Sequence, residues 1–329
     1  MSELHVVTGA GPVGTTIAEQ LAAAGASVRI LTRSGSGPVH PLIERRSVDV
    51  NDRAALTAAV DGAVAVYHCI HGSQYSARTW LAELPRAEHT ILEVAGSAGA
   101  VVVFPESLYS YGPVDQPMTE DMPRTADFGK PAVRVQLLRA RDASPTPTVS
   151  VAASDFIGPH VRTAHAGERM VPNILAGKSV QVFGKADLPH SFTYLPDLAA
   201  AMIRAAADRT QWNSFLHAPT APAVSMRELV DALAMAAQVP TPKVIALPGW
   251  TLRTAGVVSS MMRELAEMNY QFERPFILDS SRSETLLGLT PTPLEQVAAA
   301  TVAWWKTLST SEQRSAAAPG DRAVTSVQS

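Results

Sequence analysis

Three glycines near the start of the chain, Gly9, Gly11 and Gly14, stand at G-x-G-x-x-G spacing directly after the β-branched run Val6-Val7-Thr8. That arrangement suits a diphosphate. Gly9 permits a tight strand-to-helix turn, Gly11 lets the backbone approach a pyrophosphate, and Gly14 lets the helix lie close on its strand. With Pro12 and Val13 they open a helix whose first N–H groups attract anionic oxygens. Residues able to move a proton gather in three further places. Ser107, Tyr109 and Tyr111 share one stretch, Lys130 and Arg134 lie one helical turn apart, and His71 follows Cys69 and Ile70 at the end of an apolar run. A hydroxyl or phenol can polarise and protonate a carbonyl oxygen. A guanidinium beside a lysine lowers its pKa, and an imidazole near pH 7 serves as acid or base.

The elements that must position these groups follow from the pattern. A strand over residues 4–8 is followed by an Ala-rich helix from Ile17 to Ala24, with Gly25 where a C-cap belongs. A second strand, Ala26–Thr32, ends at Arg33-Ser34-Gly35. Sites selective for NAD place an acid there to hold the ribose 2′-OH, but no Asp or Glu occurs from Gly25 to Gly37. Arg33 and Ser34 suit a 2′-phosphate instead, so the expected dinucleotide is NADP, with NAD as second choice. A short third strand is expected at Val48-Asp49-Val50, with Asp49 placed to contact adenine, then a helix over 52–60. Further strands are expected at 64–70, 100–105 and 148–153, with residues 75–84 as a loop running into a helix. Alternating strands and helices predict an α/β fold, a Rossmann-type doubly wound parallel sheet with ligands beyond the carboxyl ends of its strands. The second half reads as a smaller substrate domain interleaved in sequence. Residues 1–158 and about 193–223 form the dinucleotide domain, 159–192 and 224–308 the substrate domain, and 309–329 a polar, disordered tail. Met and aromatic residues between Trp250 and Tyr270 are expected as core or as the lining of an apolar site.

Composition narrows the partners. A net charge of −3 argues against a nucleic-acid surface, and no apolar run approaches the ~20 residues of a membrane span. The single cysteine, Cys69, excludes an internal disulfide framework, and no cluster of ligating residues supports a metal site. A strand begins almost at once, leaving no room for a secretory signal. The expectation is a cytoplasmic protein acting on a small molecule, without nucleic-acid or membrane partners and compatible with a homodimer.

Taken together, these motifs resemble the extended short-chain dehydrogenase/reductase group, the NAD-dependent epimerase/dehydratase family, from residue 4 to about 306. The matching pieces are Thr8-Gly9-Ala10 with its glycine turn, His68-Cys69-Ile70-His71, Ser107 to Gly112, Ala153 to Pro159, Ser191 to Asp197, and Asp279 to Arg282. The resemblance implies a Rossmann domain binding NAD(P), closed over by a smaller domain, and assigns Ser107 the place of the catalytic Ser/Thr. Two features depart from the family. The glycine turn is one residue shorter, and the family's Tyr-Gly-Lys-Ser-Lys falls on Phe128-Gly129-Lys130-Pro131-Ala132. Phe128 replaces the proton-transferring Tyr, and Ala132 replaces the Lys that lowers its pKa. Ser107, Tyr109, Tyr111, Lys130, Arg134 and His71 remain as candidates to do that work, with His68, His160, His165 and His190 as bystanders. The leading expectation is an NADPH-dependent reductase of a carbonyl or imine in a small apolar metabolite. The alternatives are a non-redox isomerase, lyase or cyclase on the same fold, and an NADP-sensing regulator.

Overall fold

The first strand, β1 (Leu4–Thr8), carries Val6 and Val7 to opposite faces of a sheet, and both are completely buried. The structure is a computed structural model that describes residues 3–317, with side chains through Leu308. Beyond β1 lie α1 (Pro12–Ala23), β2 (Ser27–Thr32), β3 (Ile43–Ser47), α2 (Arg53–Val60), β4 (Ala63–His68), α3 (Ala77–Ser97) and β5 (Val101–Ser107). After a 3-10 turn (Leu108–Tyr111) come α4 (Gly129–Asp142), β6 (Thr148–Ala153), β7 (Asp155–Ile157), α5 (Val171–Leu175), β8 (Val180–Phe183), β9 (Phe192–Tyr194), α6 (Leu195–Ala207) and β10 (Ser214–His217). The chain continues through α7 (Met226–Ala237), β11 (Val244–Leu247), α8 (Gly249–Ala255), α9 (Ser260–Met268), α10 (Tyr270–Glu273), α11 (Ser281–Leu287) and α12 (Leu294–Ala317).

Seven strands form one sheet in the order β3-β2-β1-β4-β5-β6-β10, every pairing parallel. This is the doubly wound Rossmann-type sheet, and its order reverses between β1 and β4, where the crevice for a ligand opens. The two faces have separate cores. Val7, Val28, Val101 and Val149 meet Ile17 and Leu21 of α1 and Leu198 and Met202 of α6. Val6, Val66, Val102 and Phe104 meet Leu56 of α2 and Ile91 and Leu92 of α3. A third core joins α5, α7 and α12 to β8 and β11, with Met170, Ile174, Leu229, Leu233, Val297 and Trp305 inside. There Ser225 and Glu228 close a reciprocal capping box at the start of α7.

The third strand lies five residues before its expected place, at Ile43-Glu44-Arg45-Arg46-Ser47 rather than 48–50. It is the edge of the sheet, where charged side chains are tolerated because they reach water, and its charge hides the pattern. Val48 and Val50 are buried just beyond it as loop residues. Helix α12 runs through Ala317, so residues 309–317, read as tail, are helical; the rest of that expected tail lies outside the described residues. Asp197 sits in the first turn of α6 and accepts from the Thr292 amide and hydroxyl, both at 2.8 Å.

Helix α4 carries three buried cations, Lys130, Arg134 and Arg141, on its inward side. The Arg141 guanidinium grips both Glu88 oxygens at 2.7 and 2.6 Å and reaches Glu106 Oε2 at 2.8 Å and Ser150 Oγ at 3.0 Å, with its carbon 3.9 Å from the Phe104 ring centre. Such a network, fully satisfied, pins α3, α4, β5 and β6 to one geometry. Arg141→Ala leaves Glu88 buried without a counter-charge and Glu106 with Arg134 alone, at 3.5 Å, and should destabilise the protein by about 3–5 kcal/mol. Replacing Glu88 and Glu106 by Gln together with Arg141→Met should cost less than that single change. Denaturant titrations of the two variants check the ordering.

Candidate active site

At the glycine turn the backbone shows what it is built to hold. Gly9 has φ +92°, and a Cβ there would lie 3.0 Å from the Cys69 carbonyl oxygen. A Cβ on Gly14 would fall 2.0 Å from the Gly9 carbonyl, so helix and turn touch through glycine alone. Gly11 differs: nothing lies within 4 Å of where its side chain would be, and no side chain caps α1, which begins at Pro12. A short open cradle backed by uncapped amides fits a dinucleotide diphosphate. Val13 packs on the first core, while the Cys69 amide donates to Thr8 O at 2.9 Å, holding Cys69 and Ile70 beside the turn. Burial pushes the Cys69 thiol well above its usual range, so it is no nucleophile. At the rim, Arg33 and Ser34 are exposed, with Ser34 Oγ bonded to Ser36 Oγ at 2.8 Å. Asp49 is held below the usual carboxylate range by the Asn51 amide and side chain, and further by the charge of Arg33. Arg33 and Asp49 therefore flank the same rim.

The proton-moving groups divide. Ser107 ends β5 half-buried, its amide 2.8 Å and its hydroxyl 3.3 Å from Glu106 Oε1. Tyr109 stacks on Trp80 with ring centres 6.3 Å apart, and its hydroxyl lies 2.8 Å from the Tyr75 hydroxyl. Burial and the charge of Asp155 push the Tyr109 pKa up to about 12, against hydrogen bonds from Tyr75 and Gln271 and the charge of Arg134. Arg134 reaches Glu106 Oε1 at 3.5 Å and lies over Trp80 at 4.8 Å. His71 meets Trp80 edge-on at 4.7 Å; burial, then the charge of Arg134, push its pKa down to about 4 even though part of its surface stays open. Tyr111 stands apart, two residues on in a 3-10 turn rather than a strand. Its hydroxyl is buried 2.8 Å from both Thr119 O and His217 Nε2, while His217 Nδ1 donates to Asp279 O at 2.7 Å.

Lys130 is not in solvent. Its ammonium is completely buried, 2.5 Å from Glu264 Oε2, 3.0 Å from Glu264 O and 3.1 Å from Glu267 Oε1, all on α9. Glu267 also accepts the Lys130 amide at 2.9 Å and fills the space where a Gly129 side chain would stand, at φ +44°. Phe128 packs edge-on to Tyr270 at 6.2 Å just ahead of α4, and no hydroxyl takes its place.

Four residues that sequence reasoning passed over join the site: Tyr75, Trp80, Gln271 and Asp155. Asp155 begins β7, two residues past Ala153, the register partner of Ser107. Its Oδ2 lies 2.7 Å from His190 Nε2, and its charge reaches both Tyr75 and Tyr109. A carboxylate closing an apolar strand was the available signal for Asp155. His190, expected as a bystander, is buried between Phe272 and Phe276 with ring centres 4.9 and 5.2 Å away. Beyond them opens a cleft of about 890 Å³ bounded by His165, Met170, Phe183, Leu252 and Met262, with Arg169 and Lys178 among its exposed residues. The Met and aromatic stripe thus splits: Met262 lines the cleft and Met268 is core, while Trp250 and Met261 are more than half exposed.

Residues 5–214 match the description "NAD dependent epimerase/dehydratase family". The chain belongs to that family. Among curated proteins, none matches the sequence. Solved structures share the fold: the Bordetella bronchiseptica enzyme WbmH in complex with NAD+ has a TM-score of 0.73 at 20% identity, over 93% of this chain and 99% of that one. A Bacillus cereus UDP-glucuronic acid 4-epimerase in complex with NAD gives 0.73 at 16% identity, and a Thermotoga maritima UDP-glucose 4-epimerase with UDP-glucose gives 0.72 at 16%; coverage is 93% of this chain and 99% of each. The family, the fold and an NAD(P)-type enzyme are established on these grounds. No helix among the described residues is long and apolar enough to cross a membrane, and no group of three or more ligating side chains there could hold a metal.

Two histidines held as neutral rings, His68 buried and His71 partly exposed, make a pH prediction whose stability part rests on His68. His68, bonded to Thr8 Oγ1 at 2.9 Å, has its pKa lowered by burial to about 3, and His71 is lowered to about 4, from an ordinary 6.5. Below about pH 6.5 the unfolded chain binds protons that the folded chain refuses, so stability is lost as pH falls from 6.5 towards 4. NMR titration of the imidazole protons should show His71 uncharged at pH 5, and Arg134→Gln should raise its midpoint.

Proposed function

We propose that the protein is an NADPH-dependent reductase of a carbonyl or imine group in a small, largely apolar metabolite. What supports this reading is the phenol of Tyr109 just past the carboxyl end of β5, bonded to the Tyr75 hydroxyl, in a chain whose family position for Tyr is taken by Phe128. The bound dinucleotide supplies the hydride. Tyr109 hydrogen-bonds the atom that receives the electron pair and, where that atom is oxygen, protonates it. Ser107 offers a second hydroxyl from the same strand end, with Glu106 as its acceptor. Arg134 draws Tyr109 towards ionisation, and His71 remains neutral with hydrogen-bonding capacity. Apolar walls of the cleft, Met170, Leu252 and Met262 among them, suit an apolar substrate body.

Arg33 supports NADP over NAD. It stands exposed at the end of β2, where an acid would otherwise hold the ribose, while Asp49 already answers to Asn51. A 2′-phosphate there would gain a charge-assisted partner.

Tyr109→Phe should slow NADPH oxidation by about tenfold or more, whereas Tyr111→Phe, whose hydroxyl serves a separate buried network, should stay within about twofold. Steady-state rates on a carbonyl and imine panel check this, and equal effects in the two variants would remove Tyr109 from the role. Arg33→Ala should weaken NADPH binding by about tenfold and leave NADH binding within about twofold. Fluorescence titration of both dinucleotides reads the difference, and equal losses would return the preference to NAD.

A further inference from the structure

The cleft of about 890 Å³ in the smaller domain has two kinds of wall. The segment around α5 and the start of β8 supplies its polar groups, Arg169, Asn173, Lys178, Ser179 and Gln181. Residues 247–262 supply Leu247, Leu252, Ala255 and Met262, and the one hydroxyl on that wall, of Thr251, donates to Pro248 O at 2.6 Å. No carboxylate is among the lining residues. We propose that the cleft binds an organic anion, a compact carboxylate or phosphate head carried on an apolar body, and, resting on the reductase reading above, that this ligand is the substrate.

Three observations converge. First, the guanidinium in the cleft is the one its domain leaves unpaired. Arg162, Arg227, Arg253, Arg274 and Arg282 each meet a carboxylate, and Arg263 donates to Gly256 O at 3.2 Å. Arg169 meets neither among the described residues, because its neighbour Glu168 is turned to Arg162 at 2.9 Å. Lys178 has no carboxylate partner there either. Two cations opening on one cleft with no acid in its wall leave a positive potential for a ligand to neutralise. Second, the two are carried on one braced segment. The Asn173 side-chain amide donates to Arg169 O at 2.8 Å, and Asn173 O accepts the Lys178 amide at 2.8 Å. The Arg169 guanidinium carbon lies 5.7 Å from the Phe183 ring centre, which steadies a long side chain beside the cleft. An anionic head then meets cations whose backbone needs little further ordering. Third, the wall from α8 and α9 offers hydrocarbon and no free donor. A ligand bearing hydroxyls along its length would leave them unpaired against Leu252 and Met262, whereas an apolar body loses nothing there.

The cleft adjoins the Tyr109 side of the candidate active site through one short path. His165 is a lining residue, and its ring centre lies 4.3 Å from that of Phe272. The residue before Phe272 is Gln271, which hydrogen-bonds Tyr109. Burial lowers the His165 pKa, against the charge of Asp155 and helped by those of His190 and Arg169, so this part of the wall is a neutral ring. Asp155 itself is bonded to His190 and is not among the lining residues. The positive character of the cleft therefore belongs to Arg169 and Lys178. The head supplies affinity and orientation, and the reduction proposed above is unchanged by it.

Calorimetry on the full chain with NADP+ present tests the assignment with four probes that separate head from body: octanoate, octyl phosphate, octanol and acetate. UDP-glucose, a diphosphate covered in hydroxyls, is the competing probe. Octanoate or octyl phosphate should bind about tenfold more tightly than octanol, which lacks the charge, and than acetate, which lacks the body. Arg169→Gln and Lys178→Gln alter exposed side chains; each should weaken the better anion by about fivefold to tenfold and leave octanol within about twofold. Met262→Gln should weaken octanoate and octanol alike. Octanol bound as tightly as the anions, acetate bound as tightly as octanoate, anion affinity untouched by Arg169→Gln, or UDP-glucose bound more tightly than any of them would overturn the assignment. NADPH oxidation separates it from the reductase reading. The acid carrying an aldehyde at the far end of the octanoate chain should be reduced with a kcat/KM about tenfold above that of octanal. Equal rates would overturn the anion preference and leave the reductase standing, while the expected binding with neither aldehyde reduced would leave the cleft as an anion site and overturn its ligand as a reductase substrate.

Discussion

A lysine ammonium with no access to water must be neutralised where it lies, and Lys130 is neutralised from the other half of the molecule. Its partners Glu264 and Glu267 both come from α9, and Glu267 also accepts the Lys130 amide in the first turn of α4, an end whose N-cap Phe128 offers no side-chain bond. Separating α9 from α4 would strand a buried cation, a cost of several kcal/mol. This contact fixes how the helical segment that walls the cleft sits on the sheet. Leu252, Ala255 and Met262 line that cleft, and the clamp lies next to them in the chain. Gly129 belongs to the same constraint, because any side chain there would displace the Glu267 carboxylate.

The clamp explains the altered chemistry around it. Where the family pattern holds a lysine next to the reacting tyrosine, this chain has Ala132, and its nearest ammonium is committed to carboxylates. The ammonium still lies 4.6 Å from the Tyr75 ring centre, over its face rather than at its hydroxyl. It therefore contributes attraction to the ring and no stabilisation of a phenolate. The positive charge that reaches Tyr109 is that of Arg134, which answers to Glu106 in turn. Glu106 is shared by Arg134, Arg141 and the Ser107 amide, so strand end, hydroxyl and guanidinium are held by one buried carboxylate. The site is organised by structural ion pairs that also set its field.

The fold was legible because its strands are buried on both faces and read as apolar runs: β6 matches its expected span, and the glycine turn declared both helix and crevice. Edge strand β3 was hidden because an edge does not need apolar residues. The crevice at the order reversal between β1 and β4 was legible from the alternation of strands and helices, since carboxyl ends of parallel strands converge. The catalytic side was legible only in what it lacked. Phe128 announced a missing proton donor, but the partners of Tyr109 come from residues 34 positions before it and 162 after it, Tyr75 and Gln271. Local pattern carries no record of such pairings. Spacing marks Lys130 and Arg134 as an acid/base pair one helical turn apart, but it says only which residues share a side, not that the side meets Glu264, Glu267 and Glu106.

Tyr109 and Asp155 carry the last step of the argument, because each limits what the other can do. Desolvation works against both charged forms, but His190 gives Asp155 a fixed donor, while Tyr75 and Gln271 give Tyr109 donors too weak to bring its pKa near neutrality. Of two buried acids in one field, the carboxylate ionises first, and its charge then opposes ionisation of the phenol. The pair thus settles at neutral pH as a carboxylate beside an intact phenol.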